Sequence, residues 1–146
     1  PEILNVLPPN TKTITFKNNE YGKINKGSGL IEKWSHCREL IKEYDWLIHF
    51  EPRQLLLDFS FVETFLKNPR NLFTWGGIVG EKNDTHLYTG LFTIKSNTLL
   101  RYIDTIYLPQ FTESIEYSLF RFLEHNYTIV EKANLLWHDI SADRLI

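Results

Sequence analysis

Apolar residues recur along this chain in two rhythms. Leu30, Ile31, Trp34, Cys37, Leu40 and Ile41 repeat every three or four positions, which predicts an amphipathic helix with Ser28 as its N-cap. The same period predicts helices near Phe59 to Leu66, over Leu99, Leu100, Ile103 and Ile106 behind Ser96, and from Thr112 to about Asn126. Between them lie β-rich runs at Thr13 to Phe16, Asn71 to Trp75, His86 to Lys95, Thr128 to Val130 and Leu135 to Trp137. A short apolar run at Ile3 to Leu7 is closed by Pro8-Pro9-Asn10, and Gly76 to Thr85 reads as a loop.

The most apolar run is Asp45 to Arg53. Trp46, Leu47, Ile48 and Phe50 do not alternate cleanly with polar residues, which predicts a strand covered on both faces. Pro52 lacks an N–H and ends the ladder, so Glu51 and Arg53 stand just beyond the strand, where α/β sheets collect ligands. Strands and helices alternate along the chain, which argues for one α/β domain over residues 1–146, three-layered with a mainly parallel sheet.

The charge balance narrows the partners. Sixteen basic and 18 acidic residues give a net charge of −2, with no cationic footprint for nucleic acid or an anionic membrane. No apolar run approaches the roughly 18 residues of a membrane span, and the start carries no signal-like stretch. Cys37 stands alone in a helical setting, as a buried thiol in a reducing cytoplasm would. The chain opens on Pro without Met, which suggests processing or a piece of something longer.

Candidate chemistry falls at element ends. Asn19 to Gly29 places three glycines, Lys23 and Lys26 ahead of a helix, an arrangement that suits an anion and equally describes a solvated turn. Glu51 with Arg53, the segment Thr112 to Glu116, and His138-Asp139 complete the set. Carboxylates and an imidazole meeting on one rim would bind a divalent cation, or one carboxylate would serve as general base. Each also has a structural reading: Glu113 complements a helix dipole, Thr112 with Glu116 is a cap, and His138 beside Trp137 is a structural histidine.

Taken in order, these pieces resemble the nucleotide-sugar glycosyltransferases of the GT-A fold, in particular their large family-2-like group. The matching residues are Asn19, Gly22-Lys23, Lys26-Gly27, a helix, then Tyr44-Asp45-Trp46-Leu47-Ile48-His49-Phe50-Glu51-Pro52-Arg53. They continue with Tyr88-Thr89-Gly90-Leu91-Phe92-Thr93-Ile94-Lys95, Thr112-Glu113-Ser114-Ile115-Glu116 and Asn126-Tyr127-Thr128-Ile129-Val130. The likeness covers about Asn19 to Asp139. It implies transfer of a sugar from a nucleotide-diphosphate sugar to a hydroxyl acceptor.

On that likeness Lys23, Lys26, Gly27, Glu51 and Arg53 hold the diphosphate, Tyr88 and Gly90 border the donor sugar, and Glu113 or Glu116 is the base. Glu51 and His138 would meet a Mn2+ or Mg2+ ion. Two departures stand out: Arg53 replaces the last acid of the family's Asp-x-Asp, and Ser114 replaces another acid. A guanidinium repels a metal and itself binds diphosphate bidentately. Only about 18 residues precede the Gly-Lys segment, so the family's base-binding strand is reduced or lies outside the chain. The alternative is a transferase-like domain that binds or assembles without turnover.

Overall fold

In the computed structural model, the residues described are 8–51, 54–76, 86–138 and 143–145, with backbone course alone for 137–138 and 143–145. The chain folds into a mixed α/β structure. Helices α1 (Lys26–His36), α2 (Arg38–Lys42), α3 (Ser60–Lys67), α4 (Ser96–Thr105) and α5 (Ile115–Leu123) accompany strands β1 (Trp46–Phe50), β2 (Gln54–Leu56), β3 (Leu72–Phe73), β4 (Leu91–Lys95), β5 (Thr128–Ile129), β6 (Leu135–His138) and β7 (Asp143–Leu145).

Four strands form one sheet in the order β1-β4-β3-β5. Strand β4 runs antiparallel to both neighbours, pairing Ile48 with Thr93 on one side and Leu72 with Thr93 on the other, while β3 and β5 are parallel. Strands β2, β6 and β7 make a second, antiparallel sheet. The expected mainly parallel sheet is therefore corrected to a mainly antiparallel one. The reason lies between β3 and β4: the chain turns back, with Trp75 bridging Leu87, and a parallel return would have needed a crossover. Strands β1, β3 and β5 still point one way, because α3 and α5 carry the chain back between them.

The doubly covered strand is β4, not β1. Along β4, Phe92 and Ile94 face a core with Ile31, Trp34, Leu99, Tyr102 and Leu119. Leu91 faces a second core with Phe61, Phe65, Leu72 and Leu135. Strand β1 sits at the sheet edge, where Ile48 and Phe50 keep 40% and 41% of their surface exposed. An all-apolar run reads the same whether a strand is central or at an edge, since burial depends on its neighbours.

Several boundaries differ from the periodicity. Thr13 to Phe16 joins no ladder; instead Phe16 stacks on His36 with ring centroids 4.3 Å apart. The first predicted helix breaks at Cys37 into α1 and α2, and β2 lies in the segment expected to be only a connection. The predicted loop at 77–85 lies outside the described residues.

Candidate functional site

Helix α1 starts at Lys26, and its cap is Asn25, not Ser28. The Asn25 side-chain oxygen accepts from the Gly27 N–H at 2.7 Å and the Ser28 N–H at 3.1 Å. These are the donors that a phosphate at this helix end would have used, so the glycine-rich segment is not an open anion cradle. Ser28 is buried and donates to the Phe111 carbonyl at 2.9 Å.

The glycines are there for close packing. A Cβ on Gly29 would lie 2.5 Å from the Gly22 Cα, and one on Gly27 would lie 3.2 Å from Ile115 atoms. Asn19 fastens this turn, accepting from the Gly22 N–H at 2.9 Å and donating to the Gly29 carbonyl at 3.3 Å. Glu32 on α1 accepts from the Tyr21 N–H at 3.0 Å. The turn is thus stapled onto the helix, and the start of α5 is drawn against it: the Asn25 amide donates to the Thr112 carbonyl at 3.1 Å.

Two adjoining clefts open around this junction. One, of about 490 Å³, is lined by Lys26, Lys33, His49, Phe50 and Glu51 with the Gly22 and Gly29 backbone. The other, of about 330 Å³, is lined by Lys26, Gly27, Glu51, Thr89, Ser114 and Glu116. Lys26, Leu30 and Glu51 belong to both. Antiparallel pairing is what brings Thr89 here, since it sets the start of β4 beside the end of β1, and the Glu51 N–H donates to the Gly90 carbonyl at 2.8 Å.

Glu116 is the acid the structure brings to the cleft. Thr89 donates to one of its carboxylate oxygens at 2.9 Å and Ser114 donates to the other. Glu113 instead pairs with Arg121 on the exposed side of α5. Lys23 is exposed and paired with Glu20 at 3.0 Å, and it lines neither cleft. No ion pair engages Lys26 or Lys33 among the described residues.

The space over Gly90 is filled by the chain itself. A Cβ there would lie 2.0 Å from the Gln54 amide nitrogen and 2.4 Å from the Tyr88 hydroxyl, so this glycine does not leave an open donor pocket. On the same face of β1 as Glu51, His49 sits against Trp34 and Phe92, with ring centroids 5.5 and 4.9 Å away. Burial, aided by Lys33, lowers its pKa from 6.5 to about 4, so the imidazole is neutral near pH 7.

Among the described residues no three His, Cys, Asp or Glu groups come together as a metal site. Of the residues named for Mn2+ or Mg2+, Glu51 lies among the described side chains, and it shares its cleft with Lys26. Arg53 and the His138 side chain lie outside the described residues. Likewise, among these residues no helix is long and apolar enough to cross a membrane.

Sequence reasoning missed Lys33, Thr89, His49 and the cap Asn25. Lys33 had a signal, since it follows Lys26 by two helical turns on the same face of α1. Thr89 had none, because its partner Glu116 lies 27 residues away. No family model, curated protein or solved structure matches the chain at a significant level.

Proposed function

We propose that the junction of the two clefts binds a nucleotide-diphosphate sugar and moves its sugar to a hydroxyl acceptor. What carries this reading is the pair Lys26 and Lys33, two lysines without carboxylate partners among the described residues, in a cleft that ends on Glu51. Cations held in no ion pair beside a concave site suit an anionic ligand. Residues 7 apart on a helix stand about 10 Å apart along its axis, comparable with a diphosphate and its adjoining sugar. Arg53, two positions beyond Glu51, adds a guanidinium suited to the same oxygens.

The nucleoside lies along the larger cleft beside Phe50, and the transferred sugar and the acceptor lie in the smaller. Glu116, its carboxylate fixed by Thr89 and Ser114, is the general base. The acceptor hydroxyl gives its proton to Glu116 as its oxygen bonds to the anomeric carbon. The bond from that carbon to the diphosphate breaks, and the nucleoside diphosphate leaves with the electron pair. In this reading Lys26 and Arg53 neutralise the leaving group where the family resemblance implies Mn2+ or Mg2+ on Glu51 and His138. A GT-A-like layering is supported by helices on both faces of the four-stranded sheet and by the acid at the end of β1.

The test is transfer from a panel of UDP- and GDP-sugars to carbohydrate acceptors, with and without manganese, in the native protein and Glu116→Gln. The reading predicts product from the native protein and at least a hundredfold less from the variant, with nucleotide binding kept. Unchanged turnover in Glu116→Gln would remove the assigned base. Binding without any turnover would favour a non-catalytic binding module, to which Ser114 and Arg53 in place of acids already point.

A further inference from the structure

His49 stands two positions before Glu51 on β1, so the two side chains share a face of the strand. Its ring is held against Trp34 and Phe92, and Nε2 is closed off from solvent with no hydrogen-bond partner. A phenylalanine would complete this aromatic cluster without an unmade nitrogen, so packing alone does not account for an imidazole here. Of the two ring nitrogens Nε2 alone is closed off in this way, and no hydrogen bond or ion pair engages His49 among the described residues. Nδ1 is therefore open and unpartnered in a residue that lines the larger cleft.

Lys33 borders the same stretch of the cleft, near enough for its charge to act on the imidazole. Both residues line the larger cleft and not the smaller, whereas Lys26 and Glu51 line both. Two steps along a strand cover about 7 Å, and seven along a helix about 10 Å. Helix α1 and strand β1 thus lead the same way, from the end shared by Lys26 and Glu51 to Lys33 and His49 beyond it. With the diphosphate at the shared end and the transferred sugar beside Glu116, the group that reaches Lys33 and His49 is the ribose of the nucleoside.

The chemistry of the pair fits a diol. A neutral imidazole has one donor and one acceptor nitrogen, and a hydroxyl, which both donates and accepts, meets Nδ1 in either tautomer. The Lys33 ammonium only donates, so it takes the oxygen of the neighbouring hydroxyl. A further phosphate would use Lys33 but would match Nδ1 in one tautomer only.

We infer that His49 Nδ1 and Lys33 bind the 2′- and 3′-hydroxyls of the donor ribose, so that the larger cleft selects ribonucleotides. This inference rests on the proposed nucleotide-sugar function and names the residues that hold its nucleoside.

The experiment is calorimetric titration of the whole chain with UDP, GDP and their 2′,3′-dideoxy forms, in the native protein, His49→Phe and Lys33→Met. Thermal melting confirms that the variants are folded, as expected where Phe fills an aromatic cluster and Lys33 is exposed. The native protein should bind the ribonucleotide about tenfold or more tightly than its dideoxy form, through net hydrogen bonds to the two hydroxyls. In His49→Phe that ratio should fall about fivefold, the loss of one such bond, while the dideoxy nucleotide binds as before. Lys33→Met should weaken both nucleotides and narrow the ratio as well. A native ratio near one, or an unchanged ratio in either folded variant, overturns the roles of His49 and Lys33 while leaving the function standing. If the native protein binds no nucleotide in the panel, the function itself fails, and these roles with it.

Discussion

Replacing Asn25 by Ala tests how the two halves of the site are joined. Asn25 fills two roles at once: its oxygen caps α1 through Gly27 and Ser28, and its nitrogen ties α1 to the Thr112 carbonyl ahead of α5. Loss of an Asn cap costs about 1 kcal/mol, and loss of one further hydrogen bond about 1 kcal/mol, so Asn25→Ala should destabilise by about 2 kcal/mol. For a chain of this size that is a drop of about 6 °C in Tm, at about 3 °C per kcal/mol. Asn25→Asp keeps the capping oxygen and loses the amide donor, so it should cost about half as much. Urea unfolding of the three proteins, followed by circular dichroism, reads these differences. Equal stabilities for the native protein and Asn25→Ala would refute the cap, and equal losses in Ala and Asp would refute the division into two roles.

Gly29→Ala should lower stability by about 1–3 kcal/mol or prevent folding, since its methyl would meet the Gly22 backbone at 2.5 Å, whereas Gly90→Ala should cost less, since it meets only the ends of Gln54 and Tyr88; thermal melts of the two variants compare them. His49 is held near 4 against 6.5 in the unfolded chain, so the unfolded state takes up the extra proton in that window. Stability present above pH 6.5 should therefore fall as pH drops towards 4, by on the order of 3 kcal/mol, and His49→Phe should flatten that part of a pH series of urea melts. Glu113→Gln should leave any sugar transfer within about twofold of native, because Glu113 is engaged with Arg121, while Glu116→Gln abolishes it; parallel kinetics distinguish the two acids.

Much of the helical frame was legible because its period depends on local sequence. Leu99 and Ile103 placed α4, although Ser96, expected as its N-cap, is its first residue and Lys95 stands at the cap, and the break at Asn68-Pro69 placed the end of α3. What depended on partners was less legible. Asn25 and Ser28 are both capping residue types three positions apart, and only the contacts to Phe111 and Thr112 decide between them. Strand β1 was read as central for its apolar run, while the central strand β4 carries Thr93, whose hydroxyl is satisfied by the Arg70 carbonyl at 2.7 Å. The site followed the same division. Glu51, Lys26 and Glu116 were named from their places at element ends, but the choice of Glu116 over Glu113 needed Thr89 from across the sheet.

The central claim is that Lys26, Lys33 and Glu51 frame a site for a nucleoside diphosphate. Calorimetric titration of UDP and GDP into the native protein and into Lys26→Ala/Lys33→Ala, at low and at raised salt, addresses it most directly. The account predicts binding by the native protein that weakens with salt, and an affinity about tenfold or more lower in the double variant, each lysine contributing roughly 1 kcal/mol at a partly exposed site. Silence from both nucleotides, or equal affinity in the native and double-variant proteins, would contradict it.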